Sequence, residues 1–219
     1  MDLELFDLMK KGSGVGEGRI EGIALGIVTN NQDDQQLGRV KIKFPWLGEG
    51  DESYWARVST MMAGNEMGAF FLPEVGDEVI VAFDHGDINH PYVLGSLWNG
   101  QNKPPSKNDD GKNNIRMIKS RSGHLVTFSD EEGKERIEVK TKSGHTILLD
   151  DSPGKESILI KDKSGTNSIT IDSGQNSVTI ESSLKLSLKA KDMEIVSDGR
   201  MNIKAGADLS IQGAIVKIN

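Results

Sequence analysis

A repeat in the last hundred residues limits the folds that they can adopt. The tripeptides at 122–124, 143–145 and 164–166 read Ser-Gly-His, Ser-Gly-His and Ser-Gly-Thr, at a spacing of 21 residues. A segment in which apolar and polar residues alternate follows each one, and a polar turn follows that segment. Because a fixed internal period is typical of stacked structure, residues 119–219 are predicted to form β-structure that repeats along one axis.

A second, shorter rhythm begins after Glu181. Apolar pairs recur every eight residues, as Met193 and Ile195, Met201 and Ile203, and Leu209 and Ile211. Eight residues are too few for a full solenoid turn that encloses an interior. The change of period therefore argues against a single-chain solenoid.

Charge is divided unevenly along the chain. Residues 1–105 contain 8 Lys and Arg against 16 Asp and Glu, whereas residues 106–219 contain 18 against 17. Proteins that bind nucleic acid neutralise its phosphates with basic groups, so the acidic first half argues against a nucleic-acid groove.

Aromatic residues are divided in the same way. All three Trp, both Tyr and five of the six Phe precede residue 100, and Phe128 is the exception. The first half can build a conventional aromatic core, whereas the second half must pack aliphatic and small side chains. This difference predicts two domains.

The sequence also bears on covalent chemistry and location. It contains no Cys, which excludes disulfides and thiolate metal sites. No segment approaches the ~18 apolar residues of a membrane helix. The first residues are acidic and lack the apolar run of a secretory signal, so we expect synthesis in the cytoplasm without a signal peptide.

Residues 19–98 have the pattern of an all-β domain. Short alternating segments end at Gly or Pro, as Val40, Ile42 and Phe44 do before Pro45. Short strands with such turns suit a small Greek-key barrel of the OB type, and a small sandwich fits the same pattern. The predicted strands are 20–29, 38–44, 54–60, 69–72, 77–83 and 92–98.

Several motifs in this region carry a resemblance to a known family. They are similar to the barrel of phage baseplate assembly protein V and of the type VI secretion spike VgrG. The repeat tail resembles the triple-stranded β-helix that follows the barrel in these spikes. The motifs are Leu37-Gly38-Arg39-Val40-Lys41-Ile42-Lys43-Phe44-Pro45-Trp46, Tyr54-Trp55-Ala56-Arg57-Val58, Leu72-Pro73-Glu74-Val75-Gly76-Asp77-Glu78-Val79-Ile80-Val81-Ala82-Phe83 and Pro91-Tyr92-Val93-Leu94-Gly95-Ser96-Leu97-Trp98-Asn99-Gly100.

The resemblance implies a fold and a domain order. The protein is expected to be all-β, with an N-terminal OB-fold-like Greek-key barrel over residues 19–105. A C-terminal intertwined triple-stranded β-helix is expected over residues 119–219. Residues 106–118 are expected to link the two, and residues 1–18 to form a helix and a flexible linker.

The resemblance also implies a function. The chain is expected to be a non-enzymatic homotrimeric central spike of a contractile injection machine, whether a phage tail, a tailocin, an extracellular injection system or a type VI-like system. It is expected to be made in the bacterial cytoplasm and to become part of the assembled particle. Contraction would expel it toward the target cell, so it would contact the target membrane only on firing.

At the N-terminus the chain departs from the VgrG pattern. Spikes of that type carry several hundred residues of hub before the barrel, whereas 18 residues precede it here. A separate hub protein is therefore expected. Leu3, Phe6 and Met9 lie at helical spacing and are the predicted hub-docking residues.

At the C-terminus the chain departs from the pattern of simple phage spikes. Those spikes often end in a His-x-His iron site, but no histidine follows His145. A separate PAAR-type tip protein is therefore expected instead of a metal. Its predicted docking residues are Ile215, Val216, Lys217, Ile218 and Asn219.

The alternation within the tail supports three chains on physical grounds. Strands such as 168–172 and 177–181 have one apolar face, and alone they would expose that face and their edges. Three chains around one axis would bury the faces and pair the edges. A single-chain solenoid is the alternative. The predicted trimer core consists of Ile169, Ile171, Val178, Ile180, Met193, Ile195, Met201, Ile203, Leu209 and Ile211.

No cofactor or metal is predicted. His85, Asp87 and His90 form a cluster whose side chains suit Zn or Mn. Residues 84–91 nevertheless have the composition of a turn between two strands, where Asp, Asn and Gly are favoured for backbone reasons.

Catalysis is not predicted either. Glycosidases and lyases on β-helices need paired carboxylates in an aromatic-lined cleft, and the tail lacks Trp and Tyr. No Gly-x-Ser-x-Gly nucleophile elbow is present. His124 and His145 occupy equivalent repeat positions and are predicted to be exposed turn residues.

The alternative function depends on the barrel. In that hypothesis a single-chain solenoid carries an OB domain that binds oligosaccharide or single-stranded nucleic acid. Trp46, Tyr54 and Trp55 offer stacking surfaces, but the acidic residues within 49–52 repel phosphate, so no nucleic-acid partner is expected.

Overall fold

The structure, a computed structural model, describes residues 19–48, 50 and 52–218. The chain divides into two units, one ending at Gly111 and the other beginning at Lys112. Both units are built from β-strands, and the described residues contain no α-helix, only a 3₁₀ turn at Asp84–Gly86. The all-β prediction is therefore confirmed. Within the same residues, no helix has the length and apolar character needed to cross a bilayer.

The first unit contains seven strands in its described part. Five of them form one sheet in the order β2-β1-β6-β7-β3, and β4 and β5 form a separate hairpin. The strands are β1 (Ile23–Asn30), β2 (Lys41–Lys43), β3 (Arg57–Val58), β4 (Ala63–Gly64), β5 (Met67–Gly68), β6 (Glu78–Phe83) and β7 (Pro91–Leu97).

The sheet closes on itself between β2 and β3. Val40 and Ala56 exchange two backbone hydrogen bonds, of 3.0 and 2.7 Å, in an antiparallel bridge. β3 and β7 run parallel, whereas the other pairs of the sheet are antiparallel. This strand order with one parallel pair is that of the OB-fold barrel, which excludes the small sandwich.

Alternation along the strands puts one face of each inside the barrel. In β6 the inward residues Val79, Val81 and Phe83 are buried, and Ile80 and Ala82 between them face outward. The remaining buried apolar side chains are Val28, Val40, Ile42, Phe44, Ala56 and Val93. The barrel therefore has a closed apolar core of its own.

The strand predicted at 69–72 is wrong. The chain leaves the barrel after β3 to form the β4–β5 hairpin, and both Phe70 and Phe71 are exposed. Gly68 has φ +149°, and a Cβ there would lie 2.3 Å from the Met62 carbonyl oxygen, so the hairpin needs glycine at this position. The apolar run resembled a buried strand, but no barrel strand covers it.

The second unit is a seven-stranded antiparallel sheet in which each strand pairs with its sequence neighbours. Consecutive strands lie side by side in one layer, so the described chain is not a single-chain solenoid. The first strand, β8, overlaps the segment predicted as a linker. The strands are β8 (Ile115–Lys119), β9 (Leu125–Ser129), β10 (Arg136–Lys140), β11 (Thr146–Asp150), β12 (Ser157–Lys161), β13 (Ser168–Asp172) and β14 (Ser177–Glu181).

The 21-residue period corresponds to two strands and two turns. Gly123, Gly144 and Gly165 have φ of +95°, +103° and +75°, which glycine adopts without steric cost. In the first two turns, a hydroxyl oxygen (Ser120 Oγ or Thr141 Oγ1) accepts a 3.0 Å hydrogen bond from the backbone N–H of the fourth residue along. The first two tripeptides therefore mark turns of one geometry. The third turn is one residue longer, since the Asp162 N–H bonds to the Asn167 carbonyl.

Gly26 provides a test of the barrel core. A Cβ at this position would lie 2.3 Å from Ile42 Cγ2, inside the close-packed interior. We expect Gly26→Val to destabilise the barrel by about 1–3 kcal/mol through overpacking. All three Trp lie in the barrel unit, so thermal unfolding followed by Trp fluorescence reports on it alone.

Gly100→Val is the matched control, since no atom lies within 4 Å of a Cβ at that position. Equal midpoints for the two variants would contradict the packing described for β1.

Candidate functional site

Two rows of apolar side chains cross the sheet of the second unit on one face. The five-residue registers place the second and fourth residues of each strand opposite those of its neighbour. One row is Ile118, Val126, Val139, Ile147, Ile160, Ile169 and Ile180, and the other is Phe128, Ile137, Leu149, Ile158, Ile171 and Val178, preceded by Arg116.

These rows, called here the apolar face, are open to solvent in the single chain. Apart from the half-buried Val126, their apolar side chains are 39–67% exposed. Among the described residues of this unit, no apolar side chain is buried, because every buried apolar residue lies in the barrel. An exposed apolar surface of this extent marks a site of association.

The opposite face of the same sheet is more polar. Its central positions include Thr127, Glu138, Thr170 and Thr179, and its outer positions are rich in Ser, Lys, Arg and Asp. Thr146 is buried there and donates a hydrogen bond to the Gly144 carbonyl at 3.1 Å. The same central positions also include Met117, Leu148 and Leu159, which are half-buried. The opposite face is therefore mixed, whereas the apolar face is apolar at every position of its two rows except Arg116.

The chain that follows β14 has no partner strand of its own. Within the described structure, residues 184–218 form no strand and no backbone–backbone hydrogen bond. Bends recur at 183–184, 191–192, 198–199, 206–207 and 214, close to the eight-residue rhythm of the sequence. In this segment, called here the C-terminal extension, the carbonyls of Lys185 and Arg200 accept hydrogen bonds from Ser182 Oγ and Ser197 Oγ. The rest of its described backbone has no strand partner and can pair with other strands.

The predicted trimer-core residues fall into two groups. Ile169, Ile171, Val178 and Ile180 lie on the apolar face, as the alternation predicts. The remaining six lie in the C-terminal extension, where they are 46–68% exposed: Met193, Ile195, Met201, Ile203, Leu209 and Ile211.

The predicted docking residues lie at the two ends of the chain. Leu3, Phe6 and Met9 lie outside the described residues, and so does Asn219. Ile215, Val216 and Ile218 are exposed, as is Lys217.

The stacking residues of the barrel do not lie in a basic groove. Trp55 is half-buried beneath Arg39 and Lys41, whose charged atoms lie 5.8 and 5.5 Å from its ring centre. Arg39 pairs with Asp33 and Lys41 with Glu52, each at 2.7 Å. The Arg39 guanidinium also holds the pKa of Asp33 below its usual range. Because both cations are neutralised, this surface lacks the free positive charge of a single-strand binding site.

The His/Asp cluster forms a self-contained turn. His90 Nδ1 lies 2.9 Å from Asp87 Oδ2, and Asp87 also accepts a hydrogen bond from the backbone N–H of Asn89. No group of three or more His, Cys, Asp or Glu side chains is placed to hold a metal ion in the part of the chain that the structure describes. His124 and His145 are exposed in their turns.

Sequence reasoning missed an apolar patch on the barrel. Met61, Met62, Met67, Phe70 and Phe71, called here the Met/Phe patch, are 55–87% exposed around the β4–β5 hairpin. All of these except Met61 line an open groove of about 510 Å³ together with Leu37 and Gly38 of the β1–β2 loop. The available signal was the density of Met and Phe over residues 61–71, where no period-2 alternation exists.

The barrel carries the decisive likeness to known proteins. Residues 24–98 match the family of the Type VI secretion system/phage-baseplate injector OB domain. The barrel is therefore similar to the injector OB domain in sequence as well as in strand order. The match spans β1 to β7, including the motifs at 37–46 and 72–83, so the resemblance read from the sequence is confirmed.

Relatives of the injector OB domain extend the likeness toward the sheet. Actin cross-linking toxin VgrG1 of Vibrio cholerae is 36% identical over 108 residues, 46% of this chain and 10% of that protein. Type VI secretion system spike protein VgrG3 of Vibrio cholerae is 30% identical over 131 residues, and spike protein VgrG5 of Pseudomonas aeruginosa is 32% identical over 134. Those matches cover 54% and 55% of this chain but 13% and 17% of the relatives, so the chain spans less than a fifth of their length.

The third repeat turn contributes to the stability of the fold in a pH-dependent way. Asp162 replaces the hydroxyl residue of the first two turns, and its carboxylate accepts hydrogen bonds from Ser164 Oγ and from the backbone N–H groups of Gly165 and Asn167. The Ser164 hydroxyl bond is the main cause that lowers the pKa of Asp162 to about 2. Because the pKa of Asp162 is lower in the folded protein than in the unfolded chain, the ionised carboxylate stabilises the fold. This stabilisation is present above the unfolded pKa near 4 and is lost as pH falls toward 2.

We therefore expect turn 162–167 to lose amide protection between pH 4 and pH 2, while turns 120–124 and 141–145 keep theirs. Pulse-labelled hydrogen exchange with mass spectrometry measures each turn separately. Asp162→Asn removes the titrating group and should flatten the response. An equal loss of amide protection at low pH in all three turns would contradict the assignment of the effect to Asp162.

Proposed function

We propose that three copies of this chain form the non-enzymatic central spike of a contractile injection machine. The observation that carries the proposal is an injector OB domain followed by a sheet with an uncovered apolar face and by an extension without partner strands. In a trimer, each chain would contribute one such sheet, and the three apolar faces would meet along the axis. Burial at ~25 cal/mol per Å² is worth on the order of 1 kcal/mol for each of these side chains.

In the proposed trimer the C-terminal extension is paired by the other two chains. Its backbone groups then acquire strand partners, and Met193, Ile195 and the later apolar pairs lie toward the axis. Three chains that wind in this way have no free strand edges along their length, which removes the aggregation hazard of an open sheet. The product is a stiff needle that has a largely aliphatic interior, with Phe128 as its aromatic member, and a polar exterior.

The finer assignments belong to the same proposal. Leu3, Phe6 and Met9 dock on a separate baseplate hub protein, and the residues from Ile215 to the C-terminus seat a separate PAAR-type tip protein. The spike resides in the assembled particle and reaches a target membrane only on contraction. The sheath supplies the mechanical work, and the chain itself needs no catalytic group.

The mass of the full chain in solution tests the proposal. Light scattering behind size exclusion should give a species of three times 23.8 kDa. A compact monomer would overturn the trimeric spike.

A matched pair of variants tests which face assembles. Ile169→Asp places a charge on the apolar face and should abolish the trimer or drive aggregation, because an unpaired buried charge is too costly to retain. Thr170→Asp lies next to it on the opposite face and should leave the trimer intact. Equal behaviour of the two variants in the same light-scattering measurement would contradict burial of the apolar face.

Hydrogen exchange tests the pairing of the C-terminal extension. In the trimer, amides within 193–213 should be protected at least about 100-fold, because strand pairing satisfies them. In the Ile169→Asp variant the same amides should exchange freely. Free exchange in a species of trimeric mass would show that the sheets assemble without the extension and would refute the intertwined arrangement.

A further inference from the structure

The outer surface of the barrel sheet is apolar across three strands. Leu25 of β1 lies opposite Ile80 of β6, which in turn lies opposite Gly95 of β7. Ile23 and Leu94 extend this surface, and Ile23, Leu25 and Leu94 are 62%, 48% and 49% exposed. These side chains point away from the barrel core. We call this surface, formed by Ile23, Leu25, Ile80 and Leu94, the outer sheet face.

The Met/Phe patch is a second apolar surface on the same barrel. Its five side chains expose roughly 700 Å² in total, which exceeds the few hundred Å² of apolar patch that monomers commonly tolerate. None of the residues that line its groove belongs to the outer sheet face. The barrel thus presents two separate apolar surfaces, although its own core is complete.

Charge also differs between the two surfaces. Lys43 is exposed on β2 and lies opposite Ile27, two residues along β1 from Leu25. Glu66 is exposed at the turn of the β4–β5 hairpin, next to Met67. Neither makes an ion pair among the described residues, although Glu52 lies opposite Lys43 and Glu78 lies across Ile27 from it. One unpaired cation and one unpaired anion are therefore available at these two positions.

We propose that the Met/Phe patch of one copy packs on the outer sheet face of the next copy, which arranges three barrels in a ring. This inference rests on the proposed trimer. A ring with threefold symmetry joins two different surfaces of each subunit, head to tail, and the barrel supplies two such surfaces. Glu66 of each hairpin faces Lys43 of its neighbour. A contact of about 800 Å² per partner is the usual size of a stable interface, which the patch area approaches.

Because the chain contains no Cys, introduced thiols test the contact directly. The full-length double variant with Leu25→Cys and Met67→Cys is treated with a short bismaleimide and resolved on a denaturing gel. A covalent trimer is expected, because each thiol of one copy lies near the other thiol of its neighbour. Tyr54→Cys with Met67→Cys is the control, since Tyr54 is exposed but lies outside both surfaces, and no covalent trimer is expected from it.

Light scattering on the untreated Leu25→Cys, Met67→Cys variant distinguishes failure of the barrel contact from failure of the trimeric spike. A trimeric mass with cross-linked trimer supports the barrel contact. A trimeric mass without cross-linking beyond the control overturns the barrel contact but leaves the proposed spike standing. A monomeric mass overturns both.

A charge exchange provides a second test in the same cysteine background. Lys43→Glu or Glu66→Lys alone should slow cross-linking by up to about 5-fold, as expected for an exposed ion pair. The combined variant should regain the original rate, because the pair is restored with reversed signs. If the combined variant is no faster than either single one, Glu66 does not face Lys43.

Discussion

Burial of the apolar face on β8–β14 is the constraint on which the C-terminal half of this protein depends. In the sheet of this half, each strand satisfies its backbone hydrogen bonds by pairing with its sequence neighbours. Yet the described residues of this half include no buried apolar side chain. Hydrogen bonding alone adds little net stability to a sheet in water, since water competes for the same groups. Stability for this half therefore has to come from covering the apolar face, which the proposed trimer does with the other two chains.

The barrel is built on the opposite principle. Closure between Val40 and Ala56 lets one chain surround its own core, so nine apolar side chains are buried without help. The barrel core accommodates aromatic side chains: Phe44 packs there against Phe83, with ring centres 5.5 Å apart. The apolar face of the second unit is aliphatic apart from Phe128, and the narrow interior of the proposed trimer favours such side chains.

Much of this arrangement follows from local rules that the sequence displays. Alternation in 168–172 and 177–181 predicted β13 and β14 with their bounds, because one side of each strand must be apolar. The barrel strands at 78–83 and 91–97 were predicted to within a residue or two for the same reason. The strand at 69–72 failed because an apolar run carries no sign of whether a partner covers it. The exposure of the Met/Phe patch could not be predicted for the same reason.

By itself, the sequence determined the all-β class, the turn positions and the division between an aromatic and an aliphatic half, since period, glycine and side-chain size act locally. Only the tertiary structure decided three further points. It closed the barrel through the Val40–Ala56 and Lys43–Glu52 bridges, aligned thirteen apolar side chains of seven strands into two rows, and left residues 184–218 without a partner strand. These points depend on register and on contacts between distant residues. A one-residue change of register reverses the face to which every side chain points, and no local pattern specifies it.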